Sequence, residues 1–423
     1  MTKASVCTIG DEILIGQIID TNSARISSAL EAAGIKVSHK VSIGDERKTI
    51  IDTLRKELED NDIVITTGGL GPTADDITKP ALAELTGSEK YVLNEGQAAM
   101  VREILHSRGL DVLDINKAQA LVPDTCEVIV NRFGTAPIMV FRLSEKDFGH
   151  KATLYSMPGV PHETDNMLPD VIEDIRRHNE LSPIYHRNVM VYGLAESALA
   201  MELASWEAAL PKDMHLAYLP NTLTGVRLRL SVYGGVEASD KERVEAEIGR
   251  LKAILGDKIY SLDDDTLQHA VGKLFRERGL SLCAAESCTG GEIAHLLTTV
   301  PGASEYFLGS VTSYAIPVKE KVLGVPSETI QMNGVVSSEV ASAMAQGVRK
   351  LMDADYAVST TGLAGPGGDE RNPEGTVWVG VASRKAVKTA IFRYHNDRIR
   401  NIERFAASAL YFLLTFVNSE INN

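Results

Sequence analysis

Ala285-Glu286-Ser287-Cys288-Thr289-Gly290-Gly291 lies between two patterned runs. Before it, Leu280 to Ala285 is apolar and reads as a buried strand. After it, Ile293, Ala294, Leu296 and Leu297 fall at helical spacing. The stretch is therefore a strand, a tight turn and a helix start. A helix start leaves backbone N–H groups unpaired and carries the positive end of a dipole. A serine there has its hydroxyl where a substrate anion or an oxyanion would sit. The same residue types also serve as plain helix caps. A second site-like loop, Thr360-Thr361-Gly362-Leu363-Ala364-Gly365-Pro366-Gly367-Gly368, shifts the balance towards a site.

A chain of 423 residues is too long for one ordinary core and predicts two to four domains. The net charge is −14, from 43 basic and 57 acidic residues, which argues against a protein built to grip nucleic-acid backbones. The four cysteines form no CxxC pair, so neither a zinc site nor a disulfide framework is expected. Cys7 and Cys283 sit in strand-like runs and read as small buried residues. No basic segment followed by an apolar stretch opens the chain, and no apolar run reaches membrane-spanning length. A cytoplasmic enzyme is the expectation.

The first third alternates strand and helix: Ala4–Ile9, Thr21–Ala33, Val37–Ile43, Lys48–Asn61, then Ile63–Thr67, a β-branched run suited to burial on both faces. Further strands are expected at Glu127–Val130, Ile138–Arg142 and Thr153–Met157, and a helix from about Glu163 to Arg177. The pattern predicts a parallel sheet with helices on both faces. Asn179–Pro183 is polar and helix-breaking and marks a boundary. The next segment reads strand, helix, strand, strand, helix, a small α+β module, and Asp263-Asp264-Asp265 reads as a linker. Strand–helix alternation then resumes.

Two loops after strands in the first domain are acidic. One is Gly10-Asp11-Glu12; the other runs Gly68-Gly69-Leu70-Gly71-Pro72-Thr73-Ala74-Asp75-Asp76-Ile77-Thr78. Loops at strand C-terminal ends form the ligand crevice of open α/β sheets. Gly68, Gly69 and Gly71 let backbone N–H groups approach phosphates. Asp11, Glu12, Asp75 and Asp76, with the Thr73 hydroxyl, are hard oxygen donors suited to a divalent cation that binds a pyrophosphate and activates water. Asp75 and Asp76 are equally suited to capping the next helix. Asp45, in a third acidic loop, reads as a turn.

Gly10-Asp11-Glu12-Ile13-Leu14, Gly68–Thr73 with Asp75, Asp76 and Thr78, Met157-Pro158-Gly159-Val160-Pro161 and Ala285–Gly291 occur in the order seen in CinA, the competence/damage-inducible protein family. The chain resembles that family over nearly its whole length. The resemblance implies two three-layer α/β domains, 1–178 and 263–423, joined by a KH-type α+β module, 179–262. It implies that the first domain is molybdopterin-binding-like, with ADP-ribose pyrophosphatase activity that needs Mg2+, Mn2+ or Co2+ and is aided by K+. It implies that the last domain deamidates nicotinamide mononucleotide (NMN) without a cofactor, and that the chain forms a homodimer. The middle module lacks the Gly-x-x-Gly loop by which RNA-binding KH domains clamp a backbone, which favours a spacer or dimerisation role.

Amide hydrolysis needs a nucleophile, a base, an oxyanion stabiliser and anchors. Ser287 is the expected nucleophile. No histidine lies in either glycine-rich loop, so a serine–lysine pair is expected. In Ser313-Tyr314-Ala315-Ile316-Pro317-Val318-Lys319, after a strand read as Ser310–Ala315, the resemblance places the catalytic lysine at Lys319 and makes Tyr314 a hydrogen-bond or stacking partner. A generic lysine there would simply be exposed. By resemblance Thr361 positions the amide or a water. The N–H groups of Gly290, Gly291 or Gly362 are oxyanion candidates, and Glu286 is expected to orient Lys319. Arg400, slightly ahead of Arg398, is expected to hold the NMN phosphate, although either arginine would equally serve as a surface partner of Asp397. The segment 368–375 is more charged than the family pattern, and Glu374 stands where a small apolar residue is commoner. Two other classes compete: a binding protein that sequesters a pterin or nucleotide, and a DNA-transformation accessory factor.

Overall fold

The computed structural model describes all residues except 1, 72–76, 108, 112, 182–183, 234–236, 264 and 422–423. Two compact units result: residues 1–185 with 232–241, and residues 186–231 with 242–423.

The first unit is built on a six-stranded sheet in the order Lys36–Ile43, Lys3–Ile9, Ile63–Thr67, Ala152–Met157, Ile138–Leu143, Glu127–Ile129. Its first four strands are parallel. Ile138–Leu143 runs antiparallel to both its neighbours, Ala152–Met157 and Glu127–Ile129, which corrects the expectation of a parallel sheet. The connections 130–137 and 144–151 are too short for the crossover that a parallel pair demands. Alternation along Ile63–Thr67 sorts the layers. Ile63 and Ile65 pack with Ile26, Leu30, Val171 and Ile175 from the helices Thr21–Ala32 and Pro161–His178. Val64 faces the other way, against Ile50, Leu54 and Leu82 from the helices Arg47–Asp60 and Thr78–Leu85.

Mostly within the second unit, a four-stranded sheet orders Met214–Asn221, Gly225–Tyr233, Ile184–Val191 and Ile259–Ser261, with the helices Glu196–Ala208 and Glu237–Leu255. The short strand Ile259–Ser261 escapes sequence reading because three residues show no period. Tyr192, just past one of these strands, joins the core of the C-terminal region. Its ring lies 4.8 Å from that of Tyr411, and its hydroxyl lies 3.3 Å from Ser408 Oγ.

The five-stranded C-terminal sheet orders Phe307–Thr312, Leu282–Glu286, Tyr356–Leu363, Thr376–Ala382 and Val387–Arg393. The first three are parallel and the last two form an antiparallel hairpin. Leu282 and Ala284 face the helices Leu267–Arg278, Glu292–Thr298 and Arg398–Ile421. Cys283 and Ala285 face the helices Ser327–Asn333 and Ser338–Met352. Strand period two thus builds three layers and leaves the turn after Glu286 at the C-terminal edge of the sheet. Among the described residues, no helix is long and apolar enough to cross a membrane.

Candidate functional site

Ser287 sits one residue beyond the strand Leu282–Glu286, second in its sheet, and its N–H donates to Thr360 O (3.0 Å) on the neighbouring strand. The flanking parallel strand Phe307–Thr312 ends beside it, while Tyr356–Leu363 runs past it into the second glycine-rich loop. Lys319 Nζ lies 2.8 Å from Ser287 Oγ. The strand expected at Ser310–Ala315 ends earlier, at Thr312. The helix Ile316–Lys321 then turns Lys319 inward, where it is fully buried rather than exposed. Its amine also donates to Ser313 O (2.6 Å) and Tyr314 O (3.3 Å). Burial lowers the Lys319 pKa from 10.5 to about 8. Burial also pushes the Cys288 thiol up to about 12, so it stays protonated beside Ser287.

Glu286 does not touch Lys319. Its carboxylate accepts from Thr289 Oγ1 (2.8 Å), the N–H groups of Gly291 (3.0 Å), Ile293 (3.0 Å) and Ala294 (2.9 Å), and Ser310 Oγ (3.1 Å). It caps the helix Glu292–Thr298, because a strand residue at this register points at the helix start rather than across the turn. Gly290 and Gly291 are likewise no oxyanion donors. The Gly290 N–H goes to Ser287 O (3.2 Å) and the Gly291 N–H to Glu286. Their φ values of +64° and +113° show what the glycines are for: the turn is left-handed.

A cavity of about 310 Å3 opens at Ser287, lined by Cys288, Tyr314, Thr361, Gly362, the loop 364–367 and Arg398, among others. That size suits a small molecule. Thr361 Oγ1 donates to Val335 O (2.8 Å), so its lone pairs face new donors. Gly362 is a close-packing glycine: a Cβ there would meet Thr376 O at 2.5 Å. Arg398 donates to Gly365 O and to the Tyr314 hydroxyl (3.1 Å). Arg400 is 67% exposed, lies 3.7 Å from Asp397 and does not line the cavity, which reverses the expected order of the two arginines. Two residues along a helix place side chains on opposed faces. Larger cavities of about 600 and 700 Å3 lie elsewhere, where the lining serines Ser261 and Ser144 donate to Asp265 and Asp147 rather than meeting a lysine.

In the first unit, Gly68 follows the strand Ile63–Thr67 with φ +113°, and a Cβ there would meet Ile9 O at 2.0 Å. Gly69 is as tight: its Cβ would meet Thr78 Oγ1 at 2.1 Å and Asp45 Oδ1 at 3.3 Å. Asp11 and Asp45 exchange backbone bonds: the Asp11 N–H donates to Asp45 Oδ2 (3.0 Å) and the Asp45 N–H to Asp11 Oδ1 (3.3 Å). Asp45, read from sequence as a turn, therefore joins Asp11. Glu12 folds back over Gly10 instead, its carboxylate 2.7 Å from where a Cβ would sit. Gly71 is exposed. Thr73, Asp75 and Asp76 lie outside the described residues.

Sequence reading missed Asp20 and Asn22. Thr8 Oγ1 donates to Asp20 Oδ2 (2.7 Å), and Asn22 Nδ2 donates to Gly159 O (2.8 Å). Burial opposes ionisation of Asp20, but the hydrogen bonds from Ser23 and Thr8 prevail and hold its carboxyl below the ordinary range. The only signal was an acid before a helix, which reads as a cap, and Asp20 does also cap Ser23 N–H (2.9 Å). A divalent cation is tested by the donors: Asp11, Asp45 and a buried Thr78 hydroxyl that makes no hydrogen bond are all hard oxygens beside a glycine cradle. They fit Mg2+ in type. Among the described residues no three acidic, histidine or cysteine side chains gather closely enough to hold a metal by themselves.

Profiles of known families match three stretches: a probable molybdopterin-binding domain at 5–178, a damage-inducible protein CinA KH domain at 186–261 and a CinA C-terminal domain at 264–417. A CinA-like protein of Cytophaga hutchinsonii is 41% identical over 409 residues, covering 96% of both chains. One of Flavobacterium psychrophilum is 41% identical over 412 residues, covering 96% of this chain and 97% of its own. A crystal structure of the protein CinA from Thermoplasma acidophilum is 32% identical, covers 41% of this chain and 98% of its own, and has a TM-score of 0.37. With full-length relatives at this identity, the chain belongs to the CinA family.

Proposed function

We propose that the C-terminal region is a serine–lysine amidohydrolase that converts NMN to nicotinic acid mononucleotide and ammonia. The observation that carries this is the buried Lys319 amine, 2.8 Å from Ser287 Oγ at the mouth of a small-molecule cavity. Neutral Lys319 takes the Ser287 hydroxyl proton as Oγ attacks the carboxamide carbon. The oxyanion falls to the N–H of Cys288, the residue after the nucleophile, which lines the cavity. The Lys319 ammonium returns the proton to the departing nitrogen, and ammonia leaves an acyl-Ser287 ester. Lys319 then deprotonates a water that attacks the ester, and the carboxylate product departs with Ser287 restored. Thr361 accepts from the carboxamide NH2, and Arg398 with Tyr314 holds the phosphate end.

The first domain is proposed to hydrolyse ADP-ribose to AMP and ribose 5-phosphate. Asp11, Asp45 and Thr78 would hold a divalent cation that neutralises the pyrophosphate. Gly68 and Gly69 admit the phosphates, and K+ is an added expectation. If this domain only binds a pterin or nucleotide, no AMP appears. A homodimer and a cytoplasmic setting complete the proposal. Incubating the full chain with NMN tests the main reading: ammonia and nicotinic acid mononucleotide should appear in equal amounts, whereas intact NMN after long incubation would retire it.

A further inference from the structure

We infer that Glu374 is a positioning residue that fixes the loop 364–367 and thereby sets substrate affinity at the Ser287 cavity; this rests on the deamidase reading above. The loop Ala364-Gly365-Pro366-Gly367 forms one wall of that cavity. Three side chains hold it. Asn401 Nδ2 donates to Ala364 O (3.0 Å) and Arg398 to Gly365 O, both from the first turn of the helix Arg398–Ile421. The third acts in the opposite sense: the Gly367 N–H donates to Glu374 Oε2 (2.8 Å).

Glu374 is fitted to the loop as well as bonded to it. Its carboxylate fills the space beside Gly365, where a Cβ would meet Oε1 at 2.1 Å, and Gly365 has φ +101°. Glycine at 365 and a carboxylate at 374 are therefore matched: any other residue at 365 would expel the carboxylate. Glu374 does not line the cavity, so it acts on substrate only through the loop. Two cationic or amide donors pull on consecutive carbonyls, and one carboxylate pulls on an N–H from outside. Without the carboxylate the loop is anchored at one end only, and Gly367 gains freedom that substrate must remove on binding.

The test compares the full-length wild type with Glu374→Ala and Glu374→Gln, measuring KM and kcat for NMN and the exchange rate of the Gly367 amide hydrogen. In Glu374→Ala, KM should rise about fivefold, the weight of one hydrogen bond to a charged group at a solvent edge, with kcat within about twofold. Its Gly367 amide should exchange faster. Glu374→Gln retains an acceptor oxygen and should restore both readouts. Unchanged KM and exchange in Glu374→Ala would overturn the inference, as would Glu374→Gln behaving like Glu374→Ala. A wild type without NMN turnover would overturn the deamidase reading instead. Gly367 exchange still decides the clamp in that case: faster exchange in Glu374→Ala supports it and unchanged exchange refutes it.

Discussion

Lys319 Nζ and Ser287 Oγ lie 2.8 Å apart although 32 residues separate them in the chain, and the lysine reaches the serine from a fully buried position. The amine has carbonyls and a hydroxyl around it and, among the described residues, no carboxylate within hydrogen-bond reach, so burial prevails over its charged form.

That imbalance predicts the pH profile. Below about 8 the amine is protonated and cannot accept the Ser287 proton. NMN turnover should climb about tenfold per pH unit on the acid side and level off above the lysine pKa. The sign for stability is the same. The folded amine titrates near 8 and the unfolded one at 10.5, so the folded chain binds fewer protons between those values and gains stability as pH rises through that window. A rate that is flat between pH 6 and 9, or that falls with rising pH, would remove Lys319 as the base.

Glu286 should behave as an anchor of the nucleophile turn. Glu286→Ala leaves three N–H groups, one buried and two partly buried, without acceptors and should cost about 3 kcal/mol of stability. Thermal unfolding checks this, and an unchanged melting temperature would contradict it. Because Ser287 is the next residue, kcat should fall together with stability.

The two arginines should separate cleanly. Arg398→Ala should raise KM for NMN about thirtyfold, as expected for a lost arginine–phosphate contact. Arg400→Ala, an exposed side chain paired with Asp397, should change KM by less than about twofold. Steady-state kinetics on both variants decide the assignment, and a larger effect at Arg400 would reverse it.

In the first domain, Asp11→Asn and Asp45→Asn should each lower metal-dependent ADP-ribose hydrolysis by about a hundredfold or more. A chelator should do the same to the wild type. NMN deamidation should not respond, because these aspartates belong to the other compact unit. AMP release that is indifferent to chelator would contradict the metal assignment.

Strand position was legible where burial leaves a continuous apolar run, as at Ile63–Thr67 and Leu282–Glu286. Strand direction was not, since period two is identical in parallel and antiparallel pairs; only the short connections 130–137 and 144–151 carried that information. The serine turn could be read because its residue types are unusual and lie together. Lys319 could be placed only by family resemblance, because its burial comes from tertiary packing that no local period reveals. The same limit hid Asp20 and Asn22, whose local reading as a helix cap is true but incomplete. Glu286 was misassigned for a related reason: adjacency to Ser287 in sequence says nothing about which side of the strand its carboxylate takes.

The proposed deamidase requires Ser287 and Lys319 to act as one nucleophile–base unit. Its most direct test follows ammonia release from NMN in the wild type, Ser287→Ala, Lys319→Ala and the double variant, with folding of each checked by circular dichroism. Each single variant should lose about a thousandfold or more in kcat, and the double variant should lose little beyond that, as residues acting as a unit do. Retained turnover in either single variant, or losses that multiply in the double variant, would contradict the pairing.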